Sequence, residues 1–64
     1  MKKKEIKNLA EKIAKCEYVV ENSKDSAAVQ AAQTEIMRLS SKVHDFQDLD
    51  ILDEMIQEML SKMS

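Results

Sequence analysis

Apolar residues recur along the chain at alternating steps of three and four, in three separate stretches. The stretches are Ile6, Leu9, Ile13, Cys16 and Val20, then Val29, Ala32, Ile36, Leu39, Val43 and Phe46, and then Leu49, Leu52, Ile56, Met59 and Met63. This spacing places the side chains of each stretch on one face of an α-helix. The pattern therefore predicts three amphipathic helices, at about residues 3–22, 26–45 and 49–63.

Two polar segments separate these stretches. Residues 22–26 begin with asparagine, which tolerates the backbone conformation that ends helices, and continue with serine and aspartate side chains that cap the next helix. In the second segment, Asp48 or Asp50 is the expected cap of helix 3. Because the first connection is short, helix 2 should run antiparallel to helix 1. The sequence predicts a single all-α domain over residues 1–64, a two-helix hairpin with a shorter C-terminal third helix, in a small three-helix bundle.

The predicted core is drawn from the three apolar stretches. It comprises Ile6, Leu9, Ile13, Cys16, Val20, Val29, Ala32, Ile36, Leu39, Val43, Phe46, Leu52, Ile56 and Met59. Helix 3 has further apolar residues beside its stretch, so its apolar face covers roughly half of the helix circumference. We therefore expect helix 3 to touch two neighbours, the hairpin and a second chain or partner. Whether helix 3 packs on its own hairpin or exchanges with a second copy stays open.

The length and composition favour association. A chain of 64 residues buries a small core and is marginally stable alone. A single cysteine excludes an internal disulfide, and glycine and proline, the usual turn residues of hairpins, are absent. Regular helix packing and oligomerisation remain as sources of stability.

These features lead to a first functional prediction. The chain is expected to be a non-catalytic protein–protein interaction module that self-associates, as a homodimer, through the apolar and methionine face of helix 3. The residues predicted to bind there are Ile51, Met55, Met59, Leu60 and Met63. Methionine is flexible and polarisable, and it is common on surfaces that bind varied partners.

The uneven charge supports an alternative. Residues 1–24 hold seven lysines and four glutamates, whereas residues 25–64 hold three basic and eight acidic residues. The densest acidic array is Asp45, Asp48, Asp50, Asp53, Glu54 and Glu58. Such an array could bind a basic site of a host enzyme, as small phage-encoded inhibitors that imitate nucleic acid do. A weaker alternative is DNA or RNA binding through the lysines of helix 1, although only two aromatic residues are present to stack on bases.

Candidate catalytic groups are sparse. His44 lies off the apolar face near the end of helix 2, and Cys16 lies on the apolar face of helix 1, where burial makes a thiol inert. The acidic segment lacks the glycine that a calcium loop requires. We therefore predict no enzyme activity, no metal and no cofactor. No apolar run exceeds three residues, so neither a signal segment nor a membrane span is expected, and a cytoplasmic bacterial or phage small protein is the predicted setting.

Overall fold

The computed structural model describes residues 1–63, and these form three α-helices joined by short connections. The helices are α1 (Lys3–Asn22), α2 (Ser26–Ser40) and α3 (Phe46–Met63). No strand occurs within this described range, so the predicted all-helical, three-helix fold is confirmed. None of the helices in that range combines the length and apolar character needed to cross a bilayer.

The second helix ends five residues earlier than the apolar spacing predicts. After Ser40, the hydroxyl groups of Ser40 and Ser41 donate to the carbonyls of Ile36 and Arg38 one turn back. The Arg38 carbonyl lies in the last turn of the helix, where carbonyl groups have no helical N–H partner, and the Ser41 hydroxyl supplies one. The chain therefore leaves the helix at this point, although Val43 in the following connection is still buried.

The third helix begins earlier than predicted. The Asp45 carboxylate accepts a hydrogen bond of 2.8 Å from the Gln47 backbone N–H, which is the geometry of a helix cap. The cap is therefore Asp45, and not Asp48 or Asp50 as the sequence suggested. With 18 residues against 15 for α2, α3 is also not the shorter helix.

α1 lies at the centre of the fold and packs against both α2 and α3. Along their full described lengths, α2 and α3 have no Cα atoms within 8 Å of each other. The Cα envelope measures 34 × 23 × 15 Å, so the molecule is flattened. The sequence pattern assigned two neighbours to helix 3, whereas the structure assigns them to α1. Ala10 and Ala14 are completely buried on α1, and such small side chains let two helices approach it closely.

The buried side chains concentrate at one end of the molecule. There α1 up to its middle, the end of α2 with the following connection, and the middle of α3 converge, and the core cluster is Ile6, Ala10, Ile13, Leu39, Val43, Leu52 and Ile56. At the other end, Val20, Val29 and Leu60 are only partly buried. The prediction for Phe46 was wrong, since 84% of this residue is exposed. Its spacing continued the α2 pattern, but α2 has already ended, and Phe46 instead opens α3.

Candidate binding groove

A channel, here called the central groove, runs between α2 and α3, because both helices pack on α1 and no Cα atoms of the two lie within 8 Å of each other. Its floor and walls are formed by Ile13, Glu17, Val20 and Glu21 of α1, Gln33, Ile36 and Ser40 of α2, and Leu49, Asp50, Leu52, Asp53, Ile56, Gln57 and Leu60 of α3. Two adjoining depressions of about 380 and 350 Å³ make up the groove, and they share Glu17 and Ile36. The floor from Ile13 to Glu21 corresponds to roughly 12 Å of helix at about 1.5 Å per residue.

The walls of the central groove carry an apolar stripe. Ile36 of α2 and Leu49 and Leu60 of α3 are partly buried against the core and line the groove. Phe46 lies one turn before Leu49 on the same side of α3, because residues three or four apart share a helix face. Phe46 is 84% exposed, more than any other large apolar side chain of the described residues. Phe46 is not itself among the residues that line the groove, but it offers an exposed apolar surface one turn from Leu49.

The charges in the central groove are all negative. Glu17, Glu21, Asp50 and Asp53 are among its lining residues, and no lysine, arginine or histidine is among those the structure describes there. Burial raises the pKa of the Glu17 carboxyl above its ordinary value, and the charges of Glu21 and Asp53 raise it further. Burial and like charge both disfavour the ionised carboxylate. The floor of the groove is thus a place where a cation or an N–H donor would be favoured.

The residues of the predicted methionine face lie on two different sides of α3. Ile51, Met55, Met59 and Met63 follow one another at steps of four and are here called the methionine stripe, while Leu60 lies on the groove side. Met55 and Met59 pack against the core and are partly buried, whereas Ile51 and Met63 remain 38% and 37% exposed. Most of the apolar width of α3 is therefore used inside the chain, in contact with α1.

The six residues of the predicted acidic array do not form one surface, since they have different partners and locations. Asp45 caps α3, Asp48 accepts from the Met1 ammonium at 3.2 Å, and Glu58 pairs with Lys62 at 3.3 Å. Glu54 is exposed and lines a different depression, beside Met1 and Lys3 at the start of α1. The remaining two members of the array, Asp50 and Asp53, line the central groove.

Sequence reasoning missed the contribution of α1 to the groove. Glu17 lies four residues after Ile13 and three before Val20, so it occupies the apolar face of its own helix. A glutamate on such a face is a signal that one side of the helix is not covered by the chain itself. Ile36 was predicted as core and is instead a partly buried wall of the groove.

The groups that suggested chemistry lie apart from one another. His44 is exposed in the connection after α2, and Cys16 is partly buried on α1. Burial raises the pKa of the Cys16 thiol, and the charge of Glu35 adds to that effect. Within residues 1–63, no group of three or more His, Cys, Asp or Glu side chains is placed to hold a metal ion.

The sequence matches no known protein family, and it resembles neither a curated protein nor a solved structure at a significant level. Function is therefore inferred from the central groove and the surfaces around it.

Proposed function

We propose that this chain is a non-catalytic protein–protein interaction module that receives an α-helix of a partner in the central groove. The observation that carries the proposal is the separation of the α2 and α3 backbones, which leaves a groove along α1 lined by apolar and acidic side chains. A helix laid in such a channel buries its own apolar face and completes a four-helix arrangement. The flattened Cα envelope, 23 Å in one short direction and 15 Å in the other, is in keeping with a bundle that lacks a fourth member.

The largest gain on binding would come from Phe46. Full burial of a phenylalanine side chain is worth about 1.5–3 kcal/mol, and 84% of this residue is still exposed in the free chain. The partly buried Ile36, Leu49 and Leu60 have less area left to lose and would contribute a few tenths of a kcal/mol to about 1 kcal/mol each. These contributions suit a reversible complex with an ordered partner helix.

Site-specific photo-crosslinking in the producing organism tests this proposal. Benzoylphenylalanine at position 36, in the groove wall, should give an adduct of one defined mass. The same group at position 30, an exposed residue of the same helix, should give none. The adduct should also disappear in the Phe46→Glu background, where folding is expected to survive because Phe46 is exposed. Equal adducts from both positions, or none from position 36, would exclude the groove as the binding surface.

A second candidate function is self-association through the methionine stripe. The supporting observation is that Ile51 and Met63, at its two ends, remain more than one-third exposed. The solution mass, measured by light scattering over a range of concentrations, should then correspond to a dimer. Ile51→Glu with Met63→Glu should return it to the monomer value. Met55 and Met59 are unsuitable positions for this test, because they pack against the core and a charge there would also destabilise the fold. A monomeric parent chain, or a dimer that the double variant leaves unchanged, rules this candidate out.

A further inference from the structure

Among residues 1–63, no cationic side chain forms an ion pair with the carboxylates of the central groove. The ion pairs of the described residues join Met1 to Asp48, Arg38 to Glu35, and Lys62 to Glu58. None of the groove carboxylates takes part in these pairs. Glu17 is partly buried on the groove floor between the charges of Glu21 and Asp53.

This charge distribution selects the chemistry of the occupant. An acidic helix entering the groove would add like charges to a partly desolvated site, which opposes binding. A lysine or arginine beside the apolar stripe of the entering helix would instead pair with groove carboxylates. Each exposed ion pair of this kind raises affinity by roughly 1.5- to 5-fold. The same negative charges repel the phosphates of nucleic acid.

A second copy of this chain does not supply such a helix. Its lysine-rich helix is α1, which is held between α2 and α3 and exposes a face made of polar residues such as Lys4, Asn8, Glu11 and Lys15. A face without an apolar stripe cannot fill an apolar groove. The other two helices carry few basic residues: α2 has Arg38, already paired with Glu35, and α3 has Lys62, paired with Glu58.

We propose that the partner of the central groove is a basic amphipathic helix of a different protein, with lysine or arginine residues flanking the apolar stripe that enters the groove. This inference rests on the proposed function and deepens it. The apolar side chains Ile36, Leu49 and Phe46 would bind the stripe, and Glu17, Asp50 and Asp53 would bind the flanking cations.

A displayed library of helical peptides tests the inference. All members share an apolar stripe, and the flanking positions are randomised among Lys, Arg, Gln, Ser, Glu and Asp. The intact chain should enrich Lys and Arg at the flanks. The affinity of the enriched peptides, measured by fluorescence anisotropy, should fall roughly tenfold between low and high salt, as expected for screened charges.

Matched variants locate the charges that matter. Glu17→Gln with Asp53→Asn should weaken the binding of the enriched basic peptides by about 2- to 25-fold, because the affinity contributions of two exposed ion pairs are lost together. Glu11→Gln with Glu54→Gln removes the same charge from residues outside the groove lining and should leave their affinity unchanged. Asp50→Lys with Asp53→Lys should shift the enrichment to Glu and Asp.

The outcomes separate the two proposals. Enriched peptides that bind in the groove, as shown by loss of binding in Phe46→Glu, but that have no basic preference would overturn the charge inference and leave the interaction module standing. Saturable binding of a labelled second copy, abolished by Phe46→Glu, would overturn the assignment to a different protein. If no member of the library binds, or if neither Phe46→Glu nor Glu17→Gln with Asp53→Asn changes binding, the groove is not a helix-binding site and both proposals fall.

Discussion

Replacing Phe46 by alanine should weaken the binding of a partner helix and leave the stability of the fold almost unchanged. The residue is 84% exposed, so less than a fifth of its surface contributes to folding. Since full burial of a phenylalanine is worth about 1.5–3 kcal/mol, the buried part is worth roughly 0.5 kcal/mol or less. Alanine is a better helix former than phenylalanine by several tenths of a kcal/mol, which offsets this loss. The free energy of unfolding of Phe46→Ala should therefore equal that of the parent chain within about 0.5 kcal/mol.

The matched control is Leu52→Ala in the core. Leu52 lies on the same helix and is only 3% exposed. Removing a buried leucine side chain costs about 2–5 kcal/mol, and the total stability of so small a domain is itself about 3–5 kcal/mol. Urea unfolding followed by circular dichroism at 222 nm should thus show a large loss for Leu52→Ala and almost none for Phe46→Ala.

The binding experiment supplies the other half of the comparison. If the exposed part of Phe46 is buried by a partner helix, its loss should weaken binding by about 1–2 kcal/mol, or roughly 5- to 30-fold. The affinity is measured by anisotropy with the peptides selected on the parent chain. Two results would refute the reasoning. A loss of stability well above 1 kcal/mol in Phe46→Ala would mean that the side chain packs in the core, and unchanged peptide affinity would mean that the groove does not extend to the start of α3.

The remaining predictions concern the caps, the groove floor and the thiol. Asp25→Ala and Asp45→Ala should each lower the free energy of unfolding by about 1 kcal/mol in urea titrations, because each carboxylate accepts a backbone N–H at the start of a helix; no effect would show that the helix starts are held by packing alone. Because the pKa of Glu17 is raised, the folded chain keeps the Glu17 proton at pH values just above about 4.3, the ordinary glutamate pKa, where the unfolded chain has lost it. The free energy of unfolding should therefore fall as the pH rises through this window. Glu17→Gln should flatten that part of the pH profile, and an unchanged slope would contradict the assignment. Because burial and Glu35 raise the pKa of Cys16, its alkylation at neutral pH should be slower in the folded chain than in urea, with a rate limited by the thiolate fraction; equal rates would show that the thiol is fully accessible.

The apolar spacing predicted the number and order of the helices, because the period of about 3.6 residues appears in the sequence whichever neighbour an amphipathic helix packs against. It misplaced two boundaries, the end of α2 and the start of α3, and the reason lies in the residues around them. Val43 and Phe46 continue the steps of three and four after Leu39, although the chain has left the helix at Ser40. A repeat of this kind does not distinguish a continuing helix from a turn that happens to preserve the spacing. The cap at Asp45 was visible in the sequence, but Asp48 and Asp50 offered the same chemistry nearby.

The arrangement of the helices was harder to predict than their number. α1 is central because Ala10 and Ala14 let neighbours approach on two sides, and alanine contributes little to a search for large apolar residues. The groove exists because no Cα atoms of α2 and α3 lie within 8 Å of each other, and this separation is a property of the whole fold. Only Glu17, a charge on an otherwise apolar face, indicated from the sequence that part of α1 would remain uncovered.

Glu17 also links the stability of the chain to its proposed task. A carboxylate held on a partly buried floor beside Glu21 and Asp53 opposes folding at neutral pH, since its ionised form is disfavoured there. A glutamine at this position would fold more favourably, and the groove would keep only the carboxylates of Glu21, Asp50 and Asp53. A lysine or arginine of a partner relieves the same repulsion on binding, so the energy lost in the free chain is recovered in the complex. Glu17→Gln is therefore expected to stabilise the chain and to weaken its complex, and these opposite effects distinguish a binding residue from one that serves the fold.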